Sequence, residues 1–254
     1  MPEKSAAPPG VRPMRERISC RDCAIRQHCL PANLRDDELQ RLDAIVLRGR
    51  PLHKGEHLFD AGQPLQQLQQ LHAVRSGTLK SYLLNSEGGE QITGFHLPGE
   101  LLGLDGLGAC GHPGFAVALE TSMVCSIPLA RLEELAADMP RLRGELLRVM
   151  SAAIHAEHEQ WRLTRKAAAE RLAGFLLELS QRFRARGYSA RNFILPMGRC
   201  EIANYLGLTS ETVSRLLARY RARGLVEISG RELRVTDLQR LQQLDGIDSI
   251  ERTG

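Results

Sequence analysis

The chain has 254 residues, enough for one large domain or two of ordinary size, and its 43% hydrophobic and 25% charged residues exclude wholesale disorder. No stretch approaches the roughly 18 uncharged apolar residues of a membrane span, and Met1 to Cys20 lacks the apolar run of a secretory signal. A cytoplasmic protein with no membrane partner is expected, in which six cysteines serve as thiols or metal ligands rather than as a disulfide scaffold. The net charge of +4 is not evenly spread. Residues 1–161 hold 17 Lys and Arg against 20 Asp and Glu, and residues 162–254 hold 17 against 10, so a net −3 precedes a net +7. A basic carboxy-terminal part behind a mildly acidic body suggests a polyanion-binding module joined to a sensing or assembly module.

In chain order, a tail (1–19) interrupted by Pro2, Pro8, Pro9, Gly10 and Pro13 reads as disordered. Cys20, Cys23 and Cys29 follow as C-x2-C-x5-C, while Cys110, Cys125 and Cys200 stand apart. Leu39, Leu42, Ile45 and Val46 are spaced as on a helix over Asn33 to Leu47. From about Leu52 to Pro128, short extended runs alternate with Gly55, Gly62, Gly77, Gly88-Gly89 and Pro98-Gly99, the pattern of a barrel or double-sheet roll. These runs and the cysteine segment make up residues 20–137. Pro140, just after Asp138, suits a helix start, and a dimerisation helix is expected over 138–166. On it Leu147, Met150, Ile154, Glu157, Trp161 and Thr164 recur in steps of three and four, an a/d seam for a second copy. Glu157 falls at a d position, where two paired carboxylates would oppose association.

Residues 167–254 begin with an Arg-rich helix (Ala167 to Arg186). A short helix from Arg199 to Leu206, Gly207, and a second helix capped by Thr209 or Ser210 then form a helix-turn-helix, with two strands about Ser229-Gly230 as a wing. The exposed face of the second helix offers Glu211, Ser214 and Arg215. Arginine donates a bidentate pair to guanine and a carboxylate accepts from cytosine, so these residues suit base edges. Arg219, Arg221 and Arg223 are candidate phosphate contacts. Double-stranded DNA is the expected partner.

Three chemistries fit the cysteine cluster: zinc with a fourth ligand such as His28, a disulfide switch, or an iron–sulfur cluster. Spacing alone puts zinc slightly ahead. An enzyme of cupin type is the different-class alternative, but His53, His57, His72, His96 and His112 are scattered, and His155 and His158 on the helix suit a polar surface. Neither a phosphate-cradling glycine loop nor a nucleophile elbow is present in the sequence.

The runs QITGFHLPGEL (91–101), ALETSMVC (118–125), AAAERLAGF (167–175) and NYLGLTSETVSRLL (204–217) resemble the FNR branch of the CRP/FNR family of bacterial transcription regulators over nearly the whole chain, from Cys20 to about residue 244. The resemblance implies an α+β fold: an amino-terminal double-stranded β-helix of cyclic-nucleotide-binding type, a long dimerisation helix and a carboxy-terminal winged helix-turn-helix. It implies an oxygen-labile 4Fe–4S cluster on Cys20, Cys23, Cys29 and Cys125, with Cys110 a weak substitute and Cys200 a packing residue. Glu211, Ser214 and Arg215 match the Glu-x-x-Ser-Arg that reads a TTGAT…ATCAA inverted repeat. A homodimer when the cluster is loaded, and contact with RNA polymerase through Asn85 to Glu90, are also implied. Gly89 departs there from the acidic residue common in relatives. Cyclic-AMP-binding relatives clamp the phosphate with an Arg-Ser pair in the stretch matching Gly103 to Ala118, which here contains no arginine, so no cyclic nucleotide is expected.

Overall fold

The computed structural model describes residues 18–62, 70–107 and 111–244. The proline-rich tail through residue 17 and Cys110 lie outside the described residues.

A helix α1 (Asp36–Ile45) follows the cysteine segment; it is shorter at both ends than the sequence suggests, and at its carboxy-terminal end this is because Leu47 already pairs in a strand. Its start is held by Glu38, whose carboxylate accepts from the Arg35 N–H at 2.9 Å. Eight strands then build two four-stranded antiparallel sheets. β1 (Leu47–Arg48), β8 (Met123–Pro128), β3 (Gln70–Ser76) and β6 (Leu101–Leu102) lie side by side in one. The other runs β2 (His57–Phe59), β7 (Phe115–Ala118), β4 (Leu79–Leu84) and β5 (Glu90–His96). Phe59, Val74, Leu79, Leu102, Ala116, Ala118 and Val124 fill the space between them. This is the expected double-sheet roll.

A helix α2 (Leu129–Asp138), absent from the expectation, follows β8 directly and buries Leu132 and Ala136. The long helix α3 (Pro140–Thr164) has proline at its first turn, where no N–H is needed. Its opening turns bury Leu142, in the apolar cluster that also takes in Leu71 and Ala73 of β3, and Glu145. After a break at Arg165–Ala167 comes α4 (Ala168–Ala185). Arg171 secures that break: its Nε donates to Lys166 O at 2.9 Å and its Nη1 to Leu206 O at 2.9 Å, tying the break to the end of α5 (Arg199–Leu206).

The carboxy-terminal part holds α5 (Arg199–Leu206), α6 (Ser210–Ala222) and α7 (Leu238–Leu244) beside a small antiparallel sheet, in which β11 (Glu232–Val235) lies between β10 (Val226–Ser229) and β9 (Asn192–Ile194). The expected wing of two strands therefore gains a third. Gly207 takes the left-handed conformation (φ 62°) that closes α5 and turns the chain into α6. One continuous apolar cluster joins this part to the roll. Phe95 of β5 has its ring 6.1 Å from Phe175 of α4 and 5.1 Å from Tyr205 of α5.

Candidate functional site

The cysteines come together although 105 positions separate Cys20 from Cys125. Cys23 lies in the turns that lead to a short 3-10 segment (Arg26–His28), and Cys29 directly follows that segment. Cys125 stands mid-way along β8, paired with Arg48 on one side and Ala73 on the other. All four line one small cavity of about 30 Å³, backed by Leu42, Val46 and Ile127. Leu30, next to Cys29, is fully buried in the cluster beneath, and that cluster also takes in Leu142 of α3.

Three of the thiols, Cys20, Cys29 and Cys125, are pushed toward the protonated form. Burial pushes Cys29 up to about 12, against the weaker opposing pull of a backbone hydrogen bond at Leu30. Burial likewise raises Cys20, reinforced by the Asp43 carboxylate, and raises Cys125. Arg48 pulls both the other way. Its Nη2 lies 3.6 Å from the Cys20 sulfur, it forms an ion pair with Asp43, and Asp43 in turn accepts from the Cys20 N–H at 2.7 Å. A metal group held by these thiols would have to displace their protons, so its affinity would rise with pH. Among the described residues, no three His, Cys, Asp or Glu side chains gather tightly enough to hold a single ion. Four soft thiols lining one cavity are the donor set that a polynuclear iron–sulfur group takes.

The cysteine segment is tied to the long helix. Asn33, four residues after Cys29, donates through Nδ2 to Glu145 Oε1 at 2.5 Å, and Arg148 Nε donates to Glu145 Oε2 at 2.8 Å. Further along α3, Leu147 (61% exposed), Met150 (39%), Ile154 (55%) and Trp161 (58%) form an uncovered stripe, with Glu157 exposed among them. Arg165 stacks its guanidinium over the Trp161 ring at 4.1 Å.

On α6 the Thr209 hydroxyl caps the helix, accepting from Thr212 N–H at 3.2 Å. Val213, Leu216, Leu217 and Tyr220 face inward, which leaves Glu211 and Arg215 exposed and Ser214 half-buried. Hydrogen bonds from its own backbone N–H and from the Thr209 and Ser210 hydroxyls hold the Glu211 carboxyl below its usual range, so it presents an ionised acceptor. Arg219, Arg221 and Arg223 are exposed at the end of the same helix. Arg199, at the start of α5 and not among the residues expected to face DNA, reaches the Ser214 hydroxyl through its Nη1 at 3.4 Å. Cys200 is exposed, which corrects its expected packing role: the buried face of α5 is Ile202, Ala203 and Leu206, and Cys200 points away from it.

The sequence pattern of the Crp-like helix-turn-helix domain matches residues 170–244, and that of the cyclic nucleotide-binding domain matches residues 49–139. The chain is 48% identical over 230 residues to the fumarate and nitrate reduction regulatory protein of Escherichia coli (strain K12), covering 90% of this chain and 91% of that one. It is 47% identical over 237 residues to the anaerobic regulatory protein of Haemophilus influenzae, covering 93% and 91%. Among solved structures, FixK2 from Bradyrhizobium japonicum superposes with a TM-score of 0.71 at 32% identity, over 78% of this chain and 98% of that one.

Proposed function

Because the chain belongs to the FNR branch of the CRP/FNR family of bacterial transcription regulators, we propose that it regulates genes of the anaerobic response, sensing oxygen through a 4Fe–4S cluster on Cys20, Cys23, Cys29 and Cys125. The observation that carries this reading is the convergence of those four thiols on one cavity. Bound there, such a cluster supplies an oxygen-labile centre that thiols alone lack. The chain's own residues do the rest. Leu30 and Asn33 seat the cysteine segment on the core and on Glu145, so a firmly held segment steadies the first turns of α3. Steadier turns align Leu147, Met150, Ile154 and Trp161 for a second copy and outweigh the repulsion between paired Glu157 carboxylates. The homodimer then sets two α6 helices on successive half-sites of an inverted repeat of the TTGAT…ATCAA type. In each, Glu211, Ser214 and Arg215 address base edges while Arg219, Arg221 and Arg223 hold phosphates. RNA polymerase is contacted through Asn85 to Glu90. No cyclic nucleotide takes part, since residues 103–118 offer no arginine to its phosphate.

The test is anaerobic purification with iron and sulfide assay and visible absorbance followed as air is admitted. Iron, sulfide and a charge-transfer band that bleaches in air are expected for the parent and for Cys200→Ser, and are expected to vanish in Cys23→Ser or Cys125→Ser. A colourless anaerobic protein holding one zinc overturns the reading.

A further inference from the structure

Between β5 and β6 the chain makes a tight turn, Pro98-Gly99-Glu100, with the cysteine segment on one side and the DNA-reading part on the other. Gly99 has φ +93°, and a Cβ placed on it would stand 2.8 Å from the carbonyl oxygen of His28 and 2.9 Å from its Cβ. His28 immediately precedes Cys29, so the backbone of the cysteine segment lies directly on this glycine. The turn is also stitched to β3: the Gly99 N–H donates to Val74 O at 2.8 Å and the Val74 N–H to Glu100 O at 3.0 Å. Ala73, Val74 and Arg75 form part of the cysteine cavity wall. Two walls of that cavity thus meet at three residues.

The opposite face of the turn grips α4. Glu100 accepts from Arg182 Nη2 at 2.6 Å and Nε at 3.1 Å, and from Arg186 Nη2 at 2.5 Å. Arg186 Nε donates to Pro98 O at 2.6 Å, Arg182 Nη2 to Phe95 O, and the Leu97 N–H to Glu100 Oε2 at 3.0 Å. The carboxyl is held below its usual range chiefly by the two guanidinium groups acting against burial, so it is charged and its ties are charge-assisted. Beside it Asn204 of α5 clamps the open edge of β5, donating to Glu90 O and accepting from the Ile92 N–H, both at 2.7 Å.

We propose that the Pro98-Gly99-Glu100 turn is a relay, with Glu100 the positioning residue through which the state of the cysteine cavity reaches α4 and α5 independently of the long helix. Movement of His28 against Gly99, or of Val74 in the cavity wall, displaces a turn that has little slack, because the seven hydrogen bonds named above for residues 98–100 hold it and a Cβ-free Gly99 leaves no gap beneath His28. Arg182 and Arg186 carry that displacement into α4, whose Ala169 carbonyl anchors Tyr220 of the recognition helix. The inference rests on the cluster reading above.

Glu100→Gln keeps the side-chain volume and removes the charge, and Arg186→Lys keeps charge while losing the fork that reaches both Pro98 and Glu100. Each variant is compared with the full-length parent, first with thermal unfolding to establish folding. Iron and sulfide are then measured, operator affinity is taken loaded and unloaded, and hydrogen exchange is read over residues 168–185. Both variants are expected to load iron as the parent does. The loaded-to-unloaded affinity ratio is expected to fall about tenfold, and the change in α4 exchange on loading to disappear. If either folded variant keeps the parent's ratio and exchange change, or if α4 exchange in the parent is indifferent to loading, the relay is overturned while the cluster reading stands. A parent that takes up no iron overturns the cluster reading and the relay with it.

Discussion

Two leucines on α3, five residues apart, separate the two faces of the long helix by one chemical change. Leu142 is fully buried against the roll, whereas Leu147 is 61% exposed. Truncating Leu142 to alanine deletes buried methyl groups and leaves a cavity, at a cost of about 2–5 kcal/mol to the stability of the chain. The same truncation at Leu147 removes nothing from the core and is expected to shift chain stability by no more than about 0.5 kcal/mol. Its effect falls on dimerisation. Burying a whole leucine contributes roughly 1.5–3 kcal/mol, and the part of Leu147 still open to water leaves about 1–2 kcal/mol for a partner to recover. Both copies lose it, so the dimer weakens by about 2–4 kcal/mol, or roughly 30- to 700-fold in dissociation constant. Urea unfolding measures the first quantity and sedimentation equilibrium of the cluster-loaded protein the second. Equal losses of chain stability in the two variants, or an unchanged dimer in Leu147→Ala, would refute the assignment of the two faces.

Glu157→Ala removes a pair of like charges worth about 1–3 kcal/mol if they meet at ~5 Å, so operator binding should persist in air; a binding curve as oxygen-sensitive as the parent's counts against the seam. Arg215→Ala should cost about 1–3 kcal/mol and relax preference at one base pair, whereas Arg219→Ala should weaken all sequences alike and lower the salt slope by about one; anisotropy titrations on single-substitution operators separate the two. His72 is buried beside Phe59 and its Nδ1 lies 2.9 Å from the Ser126 hydroxyl. Burial, with a smaller contribution from His112, lowers it from 6.5 to about 4. The unfolded chain therefore binds a proton before the folded one does, and stability falls as pH drops from 6.5 to 4, by up to about 3 kcal/mol from this residue. His96 and His112 shift in the same direction, so the quantity to compare is the slope of unfolding free energy against pH in the parent and in His72→Gln. Identical slopes contradict the attribution.

What the sequence disclosed depended on how local the signal was. The bounds of α5 followed from Gly207, and the start of α6 from Thr209, because caps and turns are written in adjacent residues. The apolar period on α3 was legible from Leu147 onward, but the burial of Leu142 against the roll was not, because that contact depends on residues distant in the chain. Leu129–Asp138 carried a helical spacing of Leu129, Leu132 and Ala136 that was lost between a strand and Pro140. Asn192–Ile194 is too short for any alternation to register. The approach of Cys125 to Cys20 and the grip of Glu100 on α4 are long-range pairings that leave no periodic trace. The first was anticipated through resemblance and the second not at all.

Phe95, Ile92 and Tyr82 of the roll lie in the same apolar cluster as Leu172, Phe175 and Leu206 of the reader. A reader cut free at residue 167 carries an unmatched greasy face, and a roll cut free carries its complement. Transplanting either half onto a foreign scaffold thus demands that the outer surface of β5 travel with it, and the pair has to be exchanged as matched surfaces rather than as beads on a string.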